Sequence, residues 1–202
     1  LEMDEVPLKG KLEVILGPAF SGKTSELIRR IQRYYFAGYR CLVIRFTSNN
    51  DHFMDSLSTH DGYKLDALMT STLLGVQRFA AEFDVIGIDE AHYFTDLIEF
   101  CSNASDSGKK VIVAALDSNY ERQGHPHVLG LIPLAENVNK LIAICMSCSK
   151  EAPFTRKVQR DSAEIQEDVI MSVCEDCFFL PTPIKRSHID DALSCILTST
   201  AS

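Results

Sequence analysis

The stretch Gly17-Pro18-Ala19-Phe20-Ser21-Gly22-Lys23-Thr24 limits what this chain can fold into more than any other. It fits G-x-x-x-x-G-K-[ST], a phosphate-binding loop, which works only after a buried strand and at the head of a helix. The flanks supply both. Residues 12–16 are apolar but for Glu13 and read as a buried strand. Residues 25–36 read as a helix, with Leu27, Ile28 and Ile31 on one face and Arg29, Arg30 and Arg33 mostly on another. Glycines let backbone N–H groups converge on phosphate oxygens. Lys23 brings a mobile positive charge to the β and γ phosphates, and the Thr24 hydroxyl can ligate Mg²⁺. Strand, loop and helix in that order place the phosphates at a helix N-terminus, where the backbone dipoles favour anions. Every residue of 17–24 is thus a candidate contact to ATP.

The rest of the chain reads as an α/β fold with a parallel sheet. Residues 41–46 read as a second strand, 84–90 as a third that ends in two acids, and 111–116 and 140–144 as two further strands. Helices are expected over 65–83 and 96–107, the second ending near Gly108. Residues 47–61 are polar and irregular and read as a loop. Near-continuous apolar strands alternating with helices imply a parallel sheet covered on both faces. The expected domain plan is a lead-in at 1–10, a P-loop α/β domain at 11–144, a small zinc-ribbon domain at 145–179 and a tail or linker at 180–202.

Composition narrows the classes. A hydrophobic content of 46% supports a core, and a net charge of −8 argues against general nucleic-acid binding, which needs a basic surface. No apolar run approaches the ~20 residues of a membrane span. Residues 1–10 carry acids and no apolar block, so they do not read as a signal peptide. The seven cysteines are then expected in a reducing compartment such as the cytoplasm, where closely spaced pairs point to metal rather than disulfides.

Two acids follow the third strand. Asp89 can hold Mg²⁺ and complement Thr24. Glu90 would lie near a γ-phosphate, where a carboxylate can orient an attacking hydroxyl and accept its proton. The bland alternative is that these acids cap the next helix or face solvent. Asp89-Glu90-Ala91-His92 also spells the box of a large helicase class, but the chain is short for two motor domains and acidic. Further on, Cys145 and Cys148 form one CxxC knuckle and Cys174 and Cys177 another. Two such pairs complete a closed tetrahedral Zn²⁺ site, which leaves no position for water and is structural. Redox dithiols are the alternative. Cys41 and Cys101 read as core packing.

The segments GPAFSGKTSELIRR, VIGIDEAHYF, VIVAALDSNYERQ and LIPLAENVNKLIAIC and the two CxxC pairs, in that order over 10–178, resemble the type II thymidine kinases, the cellular family with a structural zinc. The resemblance implies transfer of the ATP γ-phosphate to the 5′-hydroxyl of thymidine or deoxyuridine. It implies a zinc-bearing lasso that closes over the nucleoside. It puts Glu90 on the catalytic base, His92 on the ATP side, and Tyr93, Leu116, Tyr120, Val169 and Ile170 on the nucleoside pocket. It also implies a dimer or tetramer, or a pseudo-dimer with a second kinase domain, since some protozoan members carry two in tandem. The family's Asp-x-Arg loop is Ser48-Asn49-Asn50-Asp51-His52 here. Its Met stands as Ala19 and its Gln as His92. Its Gly-Gly-x-Asp-x-Tyr segment is Gln166-Glu167-Asp168-Val169-Ile170-Met171. These departures keep open a degenerate domain that scaffolds an active partner.

Overall fold

Strands that are apolar at every position have to be covered on both faces. The computed structural model, which describes residues 10–48, 53–58, 64–159 and 168–180, shows how that cover is built. The expectations that fall on 1–9, 49–52, 59–63, 160–167 and 181–202 lie outside the described residues. Two compact units emerge. The first holds the chain up to Leu16, then Lys23–Leu116 and His125–Lys140; the second holds Gly17–Gly22, Asp117–Gly124 and the chain from Leu141.

The first unit runs β1 (Lys11–Gly17), α1 (Lys23–Phe36), β2 (Cys41–Phe46), β3 (Phe53–Ser58), β4 (Lys64–Thr70), α2 (Gln77–Ala80), β5 (Val85–Asp89), α3 (Leu97–Asp106), β6 (Lys110–Leu116), α4 (Pro126–Leu129) and β7 (Asn137–Lys140). The strands form one sheet in the order β3-β4-β2-β5-β6-β1-β7. β4, β2, β5 and β6 run parallel, as do β1 and β7, and β3 lies antiparallel on β4. Alternate residues go to opposite faces. Leu12, Val14 and Leu16, Ile86 and Ile88, and Val111 and Val113 share a core with Leu97, Phe100 and Cys101 of α3. The other face meets α1. Gly87 lies under it, and a Cβ there would sit 3.1 Å from Ile31 Cδ1 and 3.3 Å from Leu27 Cδ1, so the missing side chain lets the helix close on β5. Leu27, Ile28 and Ile31 are buried in that contact. Each contributes about 1.5–3 kcal/mol and so holds the helix whose first turn carries Lys23 and Thr24. Arg30 pins α1 further, reaching Glu13 Oε2 on β1 at 2.8 Å and Glu26 Oε1 at 2.7 Å.

The second unit is two small hairpins and one helical turn: β8 (Ala143–Ile144) with β9 (Glu151–Ala152), β10 (Phe154–Gln159) with β11 (Asp168–Val173), then α5 (Glu175–Phe178). Its core is Ala143, Ala152, Met171, Val173 and the cysteines Cys145, Cys174 and Cys177.

Three local expectations are corrected. Residues 47–61 are not all loop, because Phe53–Ser58 is the edge strand β3. Phe53 and Met54 are exposed, so backbone pairing with β4 makes this strand and no apolar period announces it. The stretch 65–83 is not largely helical: Lys64–Thr70 is β4, followed by a 3₁₀ turn at Leu74–Val76 and the short α2. Leu, Ala and Met favour helix on their own, but Ala67, Leu68 and Thr70 are buried where β4 pairs with β2, and tertiary context overrides propensity. Finally, the sheet ends on Asn137–Lys140 rather than on 140–144, whose Ala143–Ile144 belongs to the small hairpin of the second unit. β7 is polar and mostly exposed because it is an edge strand, so it carried no hydrophobic signal.

Candidate active site and metal centre

β1 delivers the chain into the phosphate loop. Gly17 has φ +151°, and a Cβ on it would meet the Leu141 carbonyl oxygen at 2.6 Å, so only glycine fits the turn out of the strand. Gly22 turns with φ +81° and Phe20 with φ +58°. Pro18 is buried, and the Ser21 hydroxyl donates to the Pro18 carbonyl at 2.9 Å, folding the loop on itself. The Ala19 N–H donates to the Thr155 hydroxyl of β10 at 3.1 Å. Thr155 is 4% exposed. Thr155→Val keeps the branched shape but removes this acceptor. It is expected to cost about 1 kcal/mol and to speed hydrogen exchange at the Ala19 amide. An unchanged Ala19 exchange rate would show that the bond does not hold the loop.

Lys23 and Thr24 open α1, and Asp89 closes β5. The Thr24 hydroxyl lies 3.1 Å and 3.2 Å from the two Asp89 carboxylate oxygens. Asp89 is 2% exposed. Burial pushes its carboxyl above the ordinary range and the neighbouring Glu90 adds to this, while the Arg45 charge and the Thr24 hydroxyl pull the other way. A Mg²⁺ with bonds of ~2.0–2.1 Å spaces adjacent oxygen ligands about 2.9 Å apart, close to the gap between these two groups. The pair therefore fits a divalent cation, which would also offset the cost of a buried carboxylate.

Glu90 follows at once, in the left-handed region (φ 51°, ψ 36°), where the chain leaves β5 for the 3₁₀ turn Ala91–Tyr93. Side chains with a Cβ adopt this conformation rarely, and strain of this kind clusters at functional sites. Arg45 of β2 lies opposite Asp89 in the parallel ladder. Its Nη2 donates to Glu90 Oε1 at 2.8 Å, and its Nε is 4.0 Å from Asp89 Oδ2. Arg45 was not foreseen as a site residue, although a single arginine in the otherwise apolar run Cys41-Leu42-Val43-Ile44-Arg45-Phe46 was a signal that could have found it.

The remaining expected site residues divide between the units. In the first, the Leu116 N–H donates to His92 Nδ1 at 3.4 Å. Burial, with His125 and Lys23 nearby, lowers the His92 imidazole to about 4, so it is neutral near pH 7 and accepts this bond. Tyr93 is exposed and stacks on Phe46 at 5.0 Å. In the second, Tyr120 and Ile170 are exposed, and Val169 lies in β11, where its backbone alone is described. Tyr120 sits in a loop tied by the Asn119 side chain, which accepts the N–H groups of Glu121 and Gln123, both at 2.9 Å. The Arg122 guanidinium of that loop lies 4.0 Å from the centre of the Phe154 ring. Lys157 Nζ stands 5.4 Å from the Tyr120 ring centre. Neither Arg122, Lys157 nor Thr155 carries a sequence signal for these roles.

The four cysteines converge. Cys145, Cys148, Cys174 and Cys177 place their sulfurs within 4.8 Å of one another. A tetrahedral Zn²⁺ with bonds of ~2.3 Å has sulfur–sulfur edges of about 3.8 Å, so the set fits. Burial acts to raise the Cys145 thiol, but the N–H groups of Cys174, Ser147 and Cys148 outweigh it and bring it to about 6, the thiolate side of neutrality. Burial and the neighbouring cysteines push Cys177 up to about 12. Four sulfurs this close cannot all ionise without a cation among them. The knuckle turns because Cys145 N–H donates to the Lys150 carbonyl at 2.7 Å and Ser149 adopts φ 62°.

A family model described as thymidine kinase matches residues 10–178. The thymidine kinase of raccoon poxvirus is 43% identical over 173 residues, covering 84% of this chain and 97% of that protein. The cytosolic thymidine kinase of Cricetulus griseus is 40% identical over 191 residues, 93% of this chain and 81% of that protein. That of Bos taurus is 44% identical over 174 residues, covering 85% and 73%. A match that runs from the strand before the phosphate loop to the last cysteine knuckle leaves one conclusion: this chain belongs to the thymidine kinase family.

Proposed function

We propose that this ATP-dependent kinase transfers the γ-phosphate of ATP to the 5′-hydroxyl of thymidine or deoxyuridine, feeding nucleotide salvage for DNA synthesis. The observation that carries the reading is the cluster at the end of β5, where Thr24 meets the buried Asp89 and Glu90 follows in a strained conformation. The phosphates of ATP bind along Gly17–Thr24 and Lys23, with His92 on the nucleotide side. Thr24 and Asp89 would hold Mg²⁺, which when bound would supply charge neutralisation to the phosphates. Glu90 takes the proton of the 5′-hydroxyl as that oxygen forms its bond to the γ-phosphorus. The bond from the γ-phosphorus to the bridging oxygen breaks, and its electron pair leaves on ADP. The residues proposed for the nucleoside are Tyr93, Leu116, Tyr120, Val169 and Ile170.

The reading extends to a structural zinc on the four cysteines, to a dimer or tetramer, and to the cytoplasm, as two relatives are named cytosolic. Among the described residues no helix is long and apolar enough to cross a membrane. The helicase box at 89–92 is accounted for by family membership. The departures at 48–52 and 166–171 favour a second reading, a domain that binds ATP and scaffolds an active neighbour.

One assay separates them. The purified chain with ATP, Mg²⁺ and a panel of nucleosides is expected to phosphorylate thymidine. Lys23→Ala removes the charge that meets the β and γ phosphates, so ATP affinity and turnover should fall together, turnover by about 10²-fold or more. ATP binding without turnover on any nucleoside would establish the scaffold instead.

A further inference from the structure

The expected arginine of the acceptor loop is absent from 48–52, yet an arginine stands beside the candidate base. β2 buries Leu42, Val43 and Ile44, and Arg45 follows them, one residue from the strand's end. A charge at the end of a buried strand is held there by a partner. The two acids at and just after the end of β5 lie within ion-pair reach of it, and the charge of Asp55 on β3 adds to them. Parallel pairing sets it opposite Asp89. Its Nη2 reaches Glu90 Oε1 at 2.8 Å, and its Nε stands 4.0 Å from Asp89 Oδ2. Among the described residues Arg45 is the ion-pair partner of Glu90.

The geometry points to Arg45 as a positioning residue that aims the Glu90 carboxylate at the acceptor hydroxyl. This rests on the reading of Glu90 as the base. The left-handed backbone at Glu90 sets where its side chain starts, and the charge-assisted bond from Arg45 sets where it ends. With Oε1 holding the guanidinium, Oε2 is the oxygen presented to the hydroxyl proton. Proton transfer from a bound substrate depends steeply on such aim, because a displacement of about 1 Å can cost ~10²-fold in rate. Nothing in this role asks Arg45 to touch ATP or the nucleoside.

The test is steady-state kinetics on the full chain with ATP, Mg²⁺ and thymidine, using Arg45→Met and Arg45→Lys alone and in a Glu90→Gln background. Arg45→Met is expected to lower kcat by about 10- to 100-fold while leaving both KM values within about twofold. Arg45→Lys, which restores one charged donor, should recover part of kcat. In the Glu90→Gln background Arg45→Met should cost little more, since no carboxylate is left to aim. Should the Met variant melt early, Arg45→Gln, a neutral polar side chain two bonds too short to reach Glu90 as Nη2 does, takes its place. A rise in KM for ATP or thymidine would overturn the inference by showing that Arg45 binds substrate. Fully additive losses with Glu90→Gln, or a wild-type rate in Arg45→Met, would also overturn it and leave the kinase reading intact. A wild-type chain without turnover would instead sink the kinase reading itself.

Discussion

Glu90→Gln is expected to cut kcat for thymidine phosphorylation by about 10²–10⁴-fold, the usual contribution of a positioned general base. That range corresponds to roughly 3–5 kcal/mol of transition-state stabilisation. The amide keeps the size of the side chain and can still accept a hydrogen bond, but it cannot take the hydroxyl proton. The backbone at φ 51° burdens both residues alike, so the substitution adds no new strain. ATP affinity measured by calorimetry should stay near the wild-type value, because the groups proposed for the phosphates and Mg²⁺ are Lys23, Thr24 and Asp89. Steady-state rates and calorimetry on the same preparations check both halves. An unchanged kcat would remove Glu90 from the chemistry. A parallel fall in ATP affinity would place its carboxylate on the nucleotide side.

Loss of zinc should have the largest effect on stability. The second unit has few fully buried apolar side chains, Ala143, Ala152, Met171 and Val173, with Met146, Phe154, Val158 and Phe178 only partly buried against them, and three of its buried members are the cysteines themselves. A core so small does not hold a fold without a staple. In zinc-finger peptides the bound ion supplies ~10–16 kcal/mol of apparent folding free energy. Elemental analysis should find about one zinc per chain, as four thiolates require. A strong chelator, or Cys174→Ser, should release the ion and open the region from Leu141 to Leu180 to protease. Thermal melting of the first unit should persist, because its sheet and the helices α1 and α3 form a core that contains none of these four cysteines. Metal-free protein that keeps its protease resistance would refute the zinc staple. Because Thr155 of β10 accepts the Ala19 N–H, the same treatment should also raise hydrogen exchange within the phosphate loop.

What could be read along the chain was what neighbouring residues fix. The phosphate loop needs only its own eight residues and the strand and helix beside it, and those stand as expected at Lys11–Gly17 and Lys23–Phe36. The apolar runs of β2, β5 and β6 announced themselves because strands buried on both faces have no polar positions. The cysteine knuckles were legible because two-residue spacing already brings each pair of sulfurs to one ion. Pairings between distant positions were not legible. Thr24 and Asp89, 65 residues apart, were the exception, paired in advance by the motifs that carry them; Arg45 meets Glu90 across 45 residues and Ala19 meets Thr155 across 136, and neither pairing had a local sign. The edge strands β3 and β7 and the strand β4 also came only with the fold. The edge strands are held by backbone hydrogen bonds to a neighbour while Phe53, Met54 and Asp55 of β3 and most of β7 are exposed, and the helix-favouring residues of β4 yield to the groove beside β2. Local sequence sets which chemistry each segment can offer, whereas the order and register of the sheet decide which of those groups stand within bonding distance.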